Sequence, residues 1–290
     1  MSVATRPTTR LVTSFDQTTI AAHSWPGPPG LPMLVVNAIG PDLSAWKHVL
    51  SDPVRGRPAH SWDYRGLHGS GEPISDRLDA AAHREDALAV LDAAGVDGFV
   101  VAGWSTGTRV AIEIARAHPE RVRGLALVCG GFGSGLLSLV RHLEVSRLFP
   151  LGAAIGKHFA SSLEGPFRAF VSRPEIAGVV RQSGVIGPAA DVDSIVELLQ
   201  SFARSDLRRL LTIYEKVVGD SDLGMVSDVQ APTLLVAGGR DRFATKRMID
   251  DMQRRLPNAE MVVYEKGSHF LPLEYPSRLA TDIEGWFSGL

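Results

Sequence analysis

The sequence lacks the features that mark membrane, disulfide-bonded and nucleic-acid-binding proteins. Its 290 residues include one cysteine, Cys129, so no disulfide can form within the chain. No uninterrupted apolar run approaches the ~18 residues of a membrane-spanning helix. The 30 Lys and Arg residues are balanced by 32 Asp and Glu residues, so no basic excess favours a polyanionic partner. We therefore expect neither a membrane nor a nucleic acid as a partner.

Signals for targeting and for bound cofactors are also missing. Residues 1–10 have no apolar core of signal-peptide length, which favours a cytoplasmic protein. The nine histidines form no His-x-x-x-His pair with flanking carboxylates, so no metal site is expected. Hydrophobic residues make up 44% of the chain and charged residues 21%, so the composition is that of an ordinary globular protein. We predict a protein that acts on a small molecule without a cofactor, and a homodimer is compatible with the sequence.

One stretch has the pattern of a strand, a sharp turn and a helix, with a serine at the turn. Phe99–Ala102 is a short apolar run, Gly-Trp-Ser-Thr-Gly follows at 103–107, and a helical pattern begins directly afterwards. Such a turn lifts a nucleophilic hydroxyl, here that of Ser105, above the sheet and directs a helix N-terminus at an oxyanion. The alternative is a glycine-rich turn that binds a phosphate. The stretch has no Gly-x-Gly-x-x-Gly pattern and no Walker lysine, which favours the nucleophile.

The order of apolar runs and helical patterns predicts an α/β fold with a doubly wound, mostly parallel sheet. The alternation stops after the sixth predicted strand, because the pattern from Phe132 to about Asp228 is helical and contains no buried strand. We interpret residues 1–131 and 229–290 as the core and residues 132–228 as an inserted helical cap. A separate helical domain is the alternative, and the return of the strand pattern after Asp228 favours the cap.

Two late strands of the predicted core end in residues that would complete a catalytic triad with Ser105. Asp241 directly follows one of these strands, and His269 follows the next. The histidine would act as the base and the aspartate would fix its tautomer, in the chain order Ser, Asp, His expected of such a sheet. The alternatives are a helix-capping role for Asp241 and an ordinary surface position for His269. His68, in a glycine-rich loop after an early strand, is the rival base.

The remaining candidate residues surround the serine. The backbone N–H of Thr106 and that of Ile39, in the loop after an early strand, are expected to form an oxyanion hole. An ordinary strand-to-helix loop is the alternative for Ile39. Trp104 and Phe132 are expected to line the substrate pocket, with core packing as their alternative. The candidate substrate-binding residues also include Asn37, which begins the Ile39 loop.

Three segments resemble the catalytic motifs of the α/β-hydrolase family. They are Gly-Trp-Ser-Thr-Gly at 103–107, Gly-Gly-Arg-Asp at 238–241 and Gly-Ser-His-Phe at 267–270. The segment at 63–71 is similar to the family's Asp-x-Arg-Gly-x-Gly-x-Ser loop, with one extra residue. The resemblance implies that this loop is structural and that its arginine is paired internally.

Two further details of the resemblance bear on function. The loop Asn-Ala-Ile-Gly at 37–40 is similar to the oxyanion loop of the enol-lactonase branch, which implies lactones and esters as substrates. Ala244 stands where a proline commonly follows the triad aspartate. We predict a serine hydrolase that cleaves a small or medium, mostly apolar carboxylic ester or lactone through an acyl-enzyme. The alternatives are a carbon–carbon bond hydrolase, a perhydrolase or an acyltransferase on the same triad, and a hydrolase-fold receptor with slow turnover.

Overall fold

Eight strands form one sheet in the computed structural model, which describes residues 7–52, 56–131, 160–171, 173–219 and 223–290. The strands are β1 (Thr8–Thr13), β2 (Thr19–Trp25), β3 (Met33–Val36), β4 (Ala59–Trp62), β5 (Phe99–Trp104), β6 (Val122–Val128), β7 (Thr233–Gly238) and β8 (Ala259–Tyr264). Their order across the sheet is β1-β2-β4-β3-β5-β6-β7-β8. β2 pairs antiparallel with β1 and β4, and all other neighbours are parallel. The predicted α/β fold with a mostly parallel sheet is confirmed.

From β3 onward, helices separate most of the strands along the chain, and four consecutive helices lie between β6 and β7. The α-helices are α1 (Lys47–Leu50), α2 (Ala80–Ala93), α3 (Gly107–Ala117), α4 (Ala160–Val171), α5 (Pro174–Gln182), α6 (Val192–Arg204), α7 (Leu207–Gly219), α8 (Lys246–Gln253), α9 (Leu271–Glu274) and α10 (Pro276–Ser288). Two 3-10 helices span Leu43–Trp46 and Leu223–Asp228. Within the described ranges, no helix is long and apolar enough to cross a membrane.

Side chains of the sheet are buried on both of its faces. Met33 and Val35 belong to one apolar cluster, whereas Leu34 and Val36 belong to another. Successive side chains of a strand point to opposite faces, so the two clusters lie on the two sides of the sheet. All residues of β3, β5 and β7 are buried. Burial on both faces explains why these strands are continuous apolar runs in the sequence.

Capping aspartates explain where two helices begin. The sequence has a helical pattern from Arg77, but α2 starts at Ala80, because Asp79 is its N-cap and accepts a hydrogen bond of 2.7 Å from the N–H of Ala82. The helical pattern of residues 195–218 is divided near Asp206 into α6 and α7. The Asp206 carboxylate accepts a backbone N–H in the first turn of α7. Helix boundaries therefore follow the side chains that satisfy the first N–H groups of each helix.

A buried ion network holds the loop that follows β4. Arg65 donates to Asp86 at 2.8 and 2.6 Å and to Asp16 at 2.8 Å. Burial alone would raise the pKa of Asp86, but the hydrogen bonds and the charge of Arg65 lower this pKa below its usual value. The network ties the loop to the turn between β1 and β2 and to α2. This internal pairing is the role that the family resemblance implies.

The helices α4 to α7 lie between β6 and β7 in the chain, and the C-terminal end of α6 contacts the loop after β3. Arg204 forms an ion pair with Asp42, and Ser205 Oγ donates to the carbonyl of Gly40 at 2.7 Å. No strand occurs in the part of this segment that the structure describes. The helical pattern of the sequence also predicts a helix over 136–145, which lies outside the described residues. The boundaries of the predicted cap, at 132 and 228, stay a prediction.

Candidate active site

Ser105 lies at a sharp turn between β5 and α3. Its backbone φ is +55°, in the left-handed region that residues with a side chain rarely adopt. Gly107 permits a close approach at this turn, because a Cβ there would lie 2.3 Å from the carbonyl oxygen of Val36 and 2.4 Å from that of Asn37. The turn therefore packs directly on the loop after β3. Its strained backbone presents the Ser105 side chain to a cavity.

Ser105, Asp241 and His269 come from distant parts of the sequence and lie in hydrogen-bond contact. Ser105 Oγ is 2.7 Å from His269 Nε2, and His269 Nδ1 is 2.8 Å from Asp241 Oδ2. The three residues follow β5, β7 and β8, whose parallel arrangement brings their carboxyl ends to one edge of the sheet. This geometry suits a neutral imidazole that donates through Nδ1 and accepts the serine proton at Nε2.

The carboxylate of Asp241 is fixed by hydrogen bonds at both oxygens. Oδ1 accepts the backbone N–H groups of Phe243 and Ala244 at 2.7 and 2.9 Å, and Oδ2 accepts from His269. Ala244 supplies a donor that a proline at this position would lack. The departure from the common family pattern thus adds a hydrogen bond to the carboxylate. With both oxygens engaged, the side chain has a single favoured orientation.

Three contacts hold the backbone around His269. Trp104 Nε1 donates to the carbonyl of His269 at 2.9 Å, and the N–H of Ser268 donates to Glu274 Oε2 at 2.9 Å. The thiol of Cys129 lies 3.6 Å from the carbonyl oxygen of Ser268. Glu274 was not among the candidates from the sequence. A glutamate near the start of a helix carries no local signal of its partners, so only the folded chain identifies it.

The two predicted oxyanion donors are adjacent, and one of them is already engaged. The N–H of Ile39 donates to Thr106 Oγ1 at 2.8 Å. The N–H of Thr106 lies at the N-terminal end of α3, where backbone N–H groups have no partner within the helix. The expected pair of open amides is thus replaced, in this structure, by one amide and a threonine hydroxyl. The oxyanion role of both residues stays a prediction.

A cavity of about 350 Å³ opens beside Ser105. Its wall combines residues of the sheet edge with residues of α6 and α7. The apolar members of the wall are Ala38, Ile39, Trp104, Phe202, Leu210, Leu211, Val218, Phe243, Ala244, Met248 and Phe270. Pockets of this size and character bind small organic molecules. The aromatic residues Phe243 and Phe270 also contact the ring of His269, with centroid distances of 4.9 and 5.5 Å.

The predicted pocket residues have different positions. Trp104 lines the cavity and is almost fully buried, so it combines core packing with pocket lining. Phe132 lies outside the described residues. Asn37 is not part of the cavity wall, because its Nδ2 donates to the carbonyls of Pro41 and Asp42 at 2.9 Å each and holds the loop. The rival base His68 is also absent from this wall, and its Nε2 contacts a loop carbonyl instead.

Arg109 lines the cavity and was not among the sequence candidates. It is 6% exposed, and its guanidinium donates to the carbonyls of Val218 and Gly131 at 3.3 and 3.4 Å. Burial lowers its pKa to about 10, and the nearby Tyr214 opposes this shift. The group therefore keeps its positive charge at neutral pH. The helical pattern of the sequence does not show that Arg109 faces inward. The apolar residues of α3 stand on both sides of it in the sequence, as they also do around arginines that face the solvent.

Cys129, Asp241 and His269 offer ligand atoms within 4.8 Å of one another, which is a spacing compatible with a metal ion. Burial and the neighbouring Asp241 raise the pKa of the Cys129 thiol well above its usual value, so the thiolate that a metal requires is disfavoured. The carboxylate also accepts three N–H groups. The donor set therefore suits hydrogen bonding better than metal binding.

Known proteins resemble this chain in both sequence and fold. A family model described as the alpha/beta hydrolase fold matches residues 29–276. A pimeloyl-[acyl-carrier protein] methyl ester esterase from Neisseria meningitidis serogroup B is 28% identical over 238 residues, which cover 77% of this chain and 81% of that protein. The range matched by the family model includes the segments that carry Ser105, Asp241 and His269.

Solved structures of hydrolases have the same fold. The crystal structure of a bacterial membrane phospholipase A has a TM-score of 0.74 and 21% identity, with 98% of this chain and 86% of that chain covered. The crystal structure of the enol-lactonase from Burkholderia xenovorans LB400 has a TM-score of 0.74 and 16% identity, with 96% of this chain and 100% of that chain covered. At these identities the likeness concerns the fold.

Proposed function

The chain belongs to the α/β-hydrolase family of enzymes, and we propose that it is a serine hydrolase of the esterase or lactonase type. The proposal rests on one observation, the continuous hydrogen-bonded series from Ser105 Oγ through His269 to Asp241. In this proposal Ser105 is the nucleophile, His269 the general base and Asp241 the group that orients the base. The substrate is a small or medium, mostly apolar carboxylic ester or lactone.

The first half of the proposed reaction forms an acyl-enzyme. Ser105 Oγ attacks the carbonyl carbon while its proton moves to His269 Nε2, and the carbonyl electron pair moves onto oxygen. The oxyanion is stabilised at the N-terminal end of α3, next to Thr106. The tetrahedral intermediate then expels the alkoxide, which takes the proton from His269 Nε2. For a lactone, the leaving hydroxyl stays attached to the acyl group.

The second half releases the acid by the same steps with water as the nucleophile. His269 removes a proton from water, and the oxygen attacks the acyl carbon. Collapse of the second tetrahedral intermediate returns the proton to Ser105 Oγ and frees the carboxylic acid. Asp241 stays ionised and stabilises the imidazolium that forms in both halves. Each proton taken from a nucleophile is thus returned to a leaving oxygen, and no cofactor is required.

Two observations support the proposed substrate class. The described wall of the cavity is mostly apolar, so it favours an uncharged acyl or alcohol group beside Ser105. The relative from Neisseria meningitidis is named as a methyl ester esterase, and a similar fold is that of an enol-lactonase. Both of those activities open a carboxylic ester or lactone bond. The same bond is the one that the proposed triad attacks.

We also propose that residues 132–228 act as a cap over the catalytic residues. Phe202 and Leu210, on α6 and α7, line the same cavity as Ser105 and Ile39. Gly187, in the same segment, donates its N–H to Glu274 at 2.8 Å, next to the histidine loop. A substrate that enters the cavity would therefore contact both the core and the inserted helices.

Covalent labelling combined with turnover tests the proposal. A fluorophosphonate probe is expected to add to Ser105 of the wild-type protein, and p-nitrophenyl esters and lactones of graded size are expected to be hydrolysed. The Ser105→Ala variant is expected to lose labelling and turnover while its melting temperature changes little, because Ser105 is at a turn and not in the core. A variant at the exposed Ser277, Ser277→Ala, serves as the control and is expected to match the wild type. Labelling or turnover that persists in Ser105→Ala would exclude Ser105 as the nucleophile.

A further inference from the structure

The hydroxyl of Thr106 lies between the two backbone amides, of Ile39 and Thr106, that the sequence predicts as open oxyanion donors. It accepts the N–H of Ile39 at 2.8 Å, across the narrow gap between α3 and the loop after β3. Thr106 is also the N-cap of α3, a position where threonine usually accepts an N–H of its own helix. Here its side chain makes no such capping bond. The hydroxyl is thus directed to the oxyanion loop and not to the helix.

The packing around Gly107 fixes this contact. A Cβ at Gly107 would lie within 2.4 Å of two carbonyl oxygens of the loop, so the helix and the loop are as close as a glycine allows. The preceding residue, Thr106, is therefore held against Ile39. Both residues line the cavity together with Ser105. An ester carbonyl that reaches Ser105 will meet the Thr106 side chain.

A threonine hydroxyl has one donor and two acceptor sites. The Ile39 N–H takes one acceptor site of Thr106 Oγ1, which leaves the O–H proton for another partner. A hydroxyl that accepts from an amide becomes a better donor, because hydrogen bonds in series polarise one another. Among the described residues no acceptor holds the hydroxyl proton, so this proton can rotate toward an oxygen in the cavity. The contact therefore prepares the O–H of Thr106 as a donor.

We infer that the Thr106 hydroxyl is a catalytic oxyanion donor and that the Ile39 amide acts through it. In this inference, which rests on the proposed serine-hydrolase function, the oxyanion accepts the N–H and the O–H of Thr106. No proton is transferred at this site, so the reaction balance is unchanged. The Ile39 N–H stays bonded to Oγ1 throughout and stabilises the hydroxyl as charge develops on the substrate oxygen.

Distances show that donation by the Thr106 hydroxyl and direct donation by the Ile39 amide exclude each other. An oxyanion accepting the hydroxyl would lie about 2.7 Å from Oγ1. With Oγ1 2.8 Å from the Ile39 nitrogen and a tetrahedral angle at the hydroxyl oxygen, the oxyanion would be roughly 4.5 Å from that nitrogen. This separation is too long for a hydrogen bond. Either the hydroxyl donates, or it obstructs the amide, and the two cases have opposite consequences for substitution.

A series of three substitutions at Thr106 distinguishes these cases. Thr106→Ser keeps the hydroxyl and is expected to retain kcat within about threefold of the wild type. Thr106→Val replaces the hydroxyl by a methyl group of similar shape and is expected to lower kcat about 100-fold, the usual effect of losing one oxyanion donor. Thr106→Ala is expected to lower kcat at least about tenfold. KM is expected to change little, because the donor acts on the transition state.

The same variants are then tested with a trifluoromethyl ketone, which forms a tetrahedral adduct with the serine. Its inhibition constant is expected to rise across the variants in proportion to the loss of kcat/KM. A merely structural role of Thr106 would lower the melting temperature without this proportionality. If Thr106→Ala is faster than the wild type, or if Thr106→Val matches it, the hydroxyl is not the donor. If Thr106→Val fails to fold, the Ala and Ser variants give the same decision.

Failure of the proposed function has a different signature. If wild-type Ser105 is not labelled by a fluorophosphonate, the serine mechanism itself is wrong, whatever the Thr106 variants do. If Ser105 is labelled and turnover depends on it, the Thr106 series decides only the identity of the oxyanion donor. The two proposals are therefore tested separately by the same set of proteins.

Discussion

Replacing Asp241 by asparagine is expected to change the tautomer of His269 and not the fold. The asparagine has one acceptor oxygen and one NH2 group. At Oδ1, the N–H groups of Phe243 and Ala244 require an acceptor at 2.7 and 2.9 Å. The amide oxygen is therefore held on that side, and the NH2 group is left to face His269 Nδ1. Nδ1 must then accept, so the ring proton moves to Nε2, where it faces Ser105.

The magnitude follows from comparing the two orientations of the amide. Turning the side chain over would restore an acceptor to His269 but would place the NH2 group against two N–H donors, the buried one of Ala244 and the part-buried one of Phe243. Each donor left without an acceptor costs about 1–3 kcal/mol, so the turned form is disfavoured by roughly 2–6 kcal/mol. An aspartate-to-asparagine change in this role lowers kcat about 10⁴-fold in a serine protease. We expect a similar loss for Asp241→Asn, which corresponds to about 5 kcal/mol of barrier.

The assay is the acylation rate of Asp241→Asn with a p-nitrophenyl ester, together with its melting temperature and the ¹⁵N signals of His269. The expected result is a folded protein with slow acylation and a proton on Nε2. Asp250→Asn, which alters an exposed ion pair with Lys246 on the neighbouring helix, is the control. Acylation within about tenfold of the wild type, or a proton that stays on Nδ1, would refute the reasoning about the amide orientation.

The remaining predictions concern the supports of the site and of the fold. Glu274→Gln places an NH2 group against one of the donors from Ser268 or Gly187, so we expect a loss of about 2–3 kcal/mol in the free energy of unfolding and a lower kcat. Denaturant unfolding measures the free energy, and an ester assay measures kcat. Unchanged values of both would contradict the supporting role of Glu274. The lowered pKa of Asp86 stabilises the fold above pH ~4, and this stability is lost as the pH falls through the lowered pKa. The free energy of unfolding is therefore expected to fall less steeply with decreasing pH in Asp86→Asn than in the wild type. An identical slope would exclude the pairing of Asp86 with Arg65 as a cause of acid sensitivity.

The sequence predicted those features that depend on local pattern. β3, β5 and β7 are buried on both faces, so their apolar runs identify them without reference to the rest of the chain. Ser105, Asp241 and His269 each follow a strand of the same parallel sheet, and strand direction alone brings the three together. The residues at the strand ends therefore identify the candidate triad, because the topology of the sheet brings these strand ends to one edge.

Features that depend on side-chain direction were not predictable in the same way. The helical pattern of α3 does not reveal that Arg109 faces the cavity. The Ile39 amide was predicted as an open donor, but its partner Thr106 lies 67 residues away and is selected by the close packing of two loops. Glu274 reaches Gly187 across 87 residues. In each case the decisive contact joins distant segments, which periodicity and motif spacing do not encode.

The contacts around His269 also show why the candidate triad is preorganised. Its backbone carbonyl accepts from Trp104, the residue before the nucleophile, so β5 holds both the serine and the loop of the base. Glu274 fixes the preceding N–H of Ser268 from the other side. The distance between Ser105 Oγ and the imidazole is therefore set by the sheet and by a buried carboxylate, and not by the side chains of the triad alone. Such support lowers the reorganisation needed when charge develops, because the donors and acceptors are already in place before the substrate arrives.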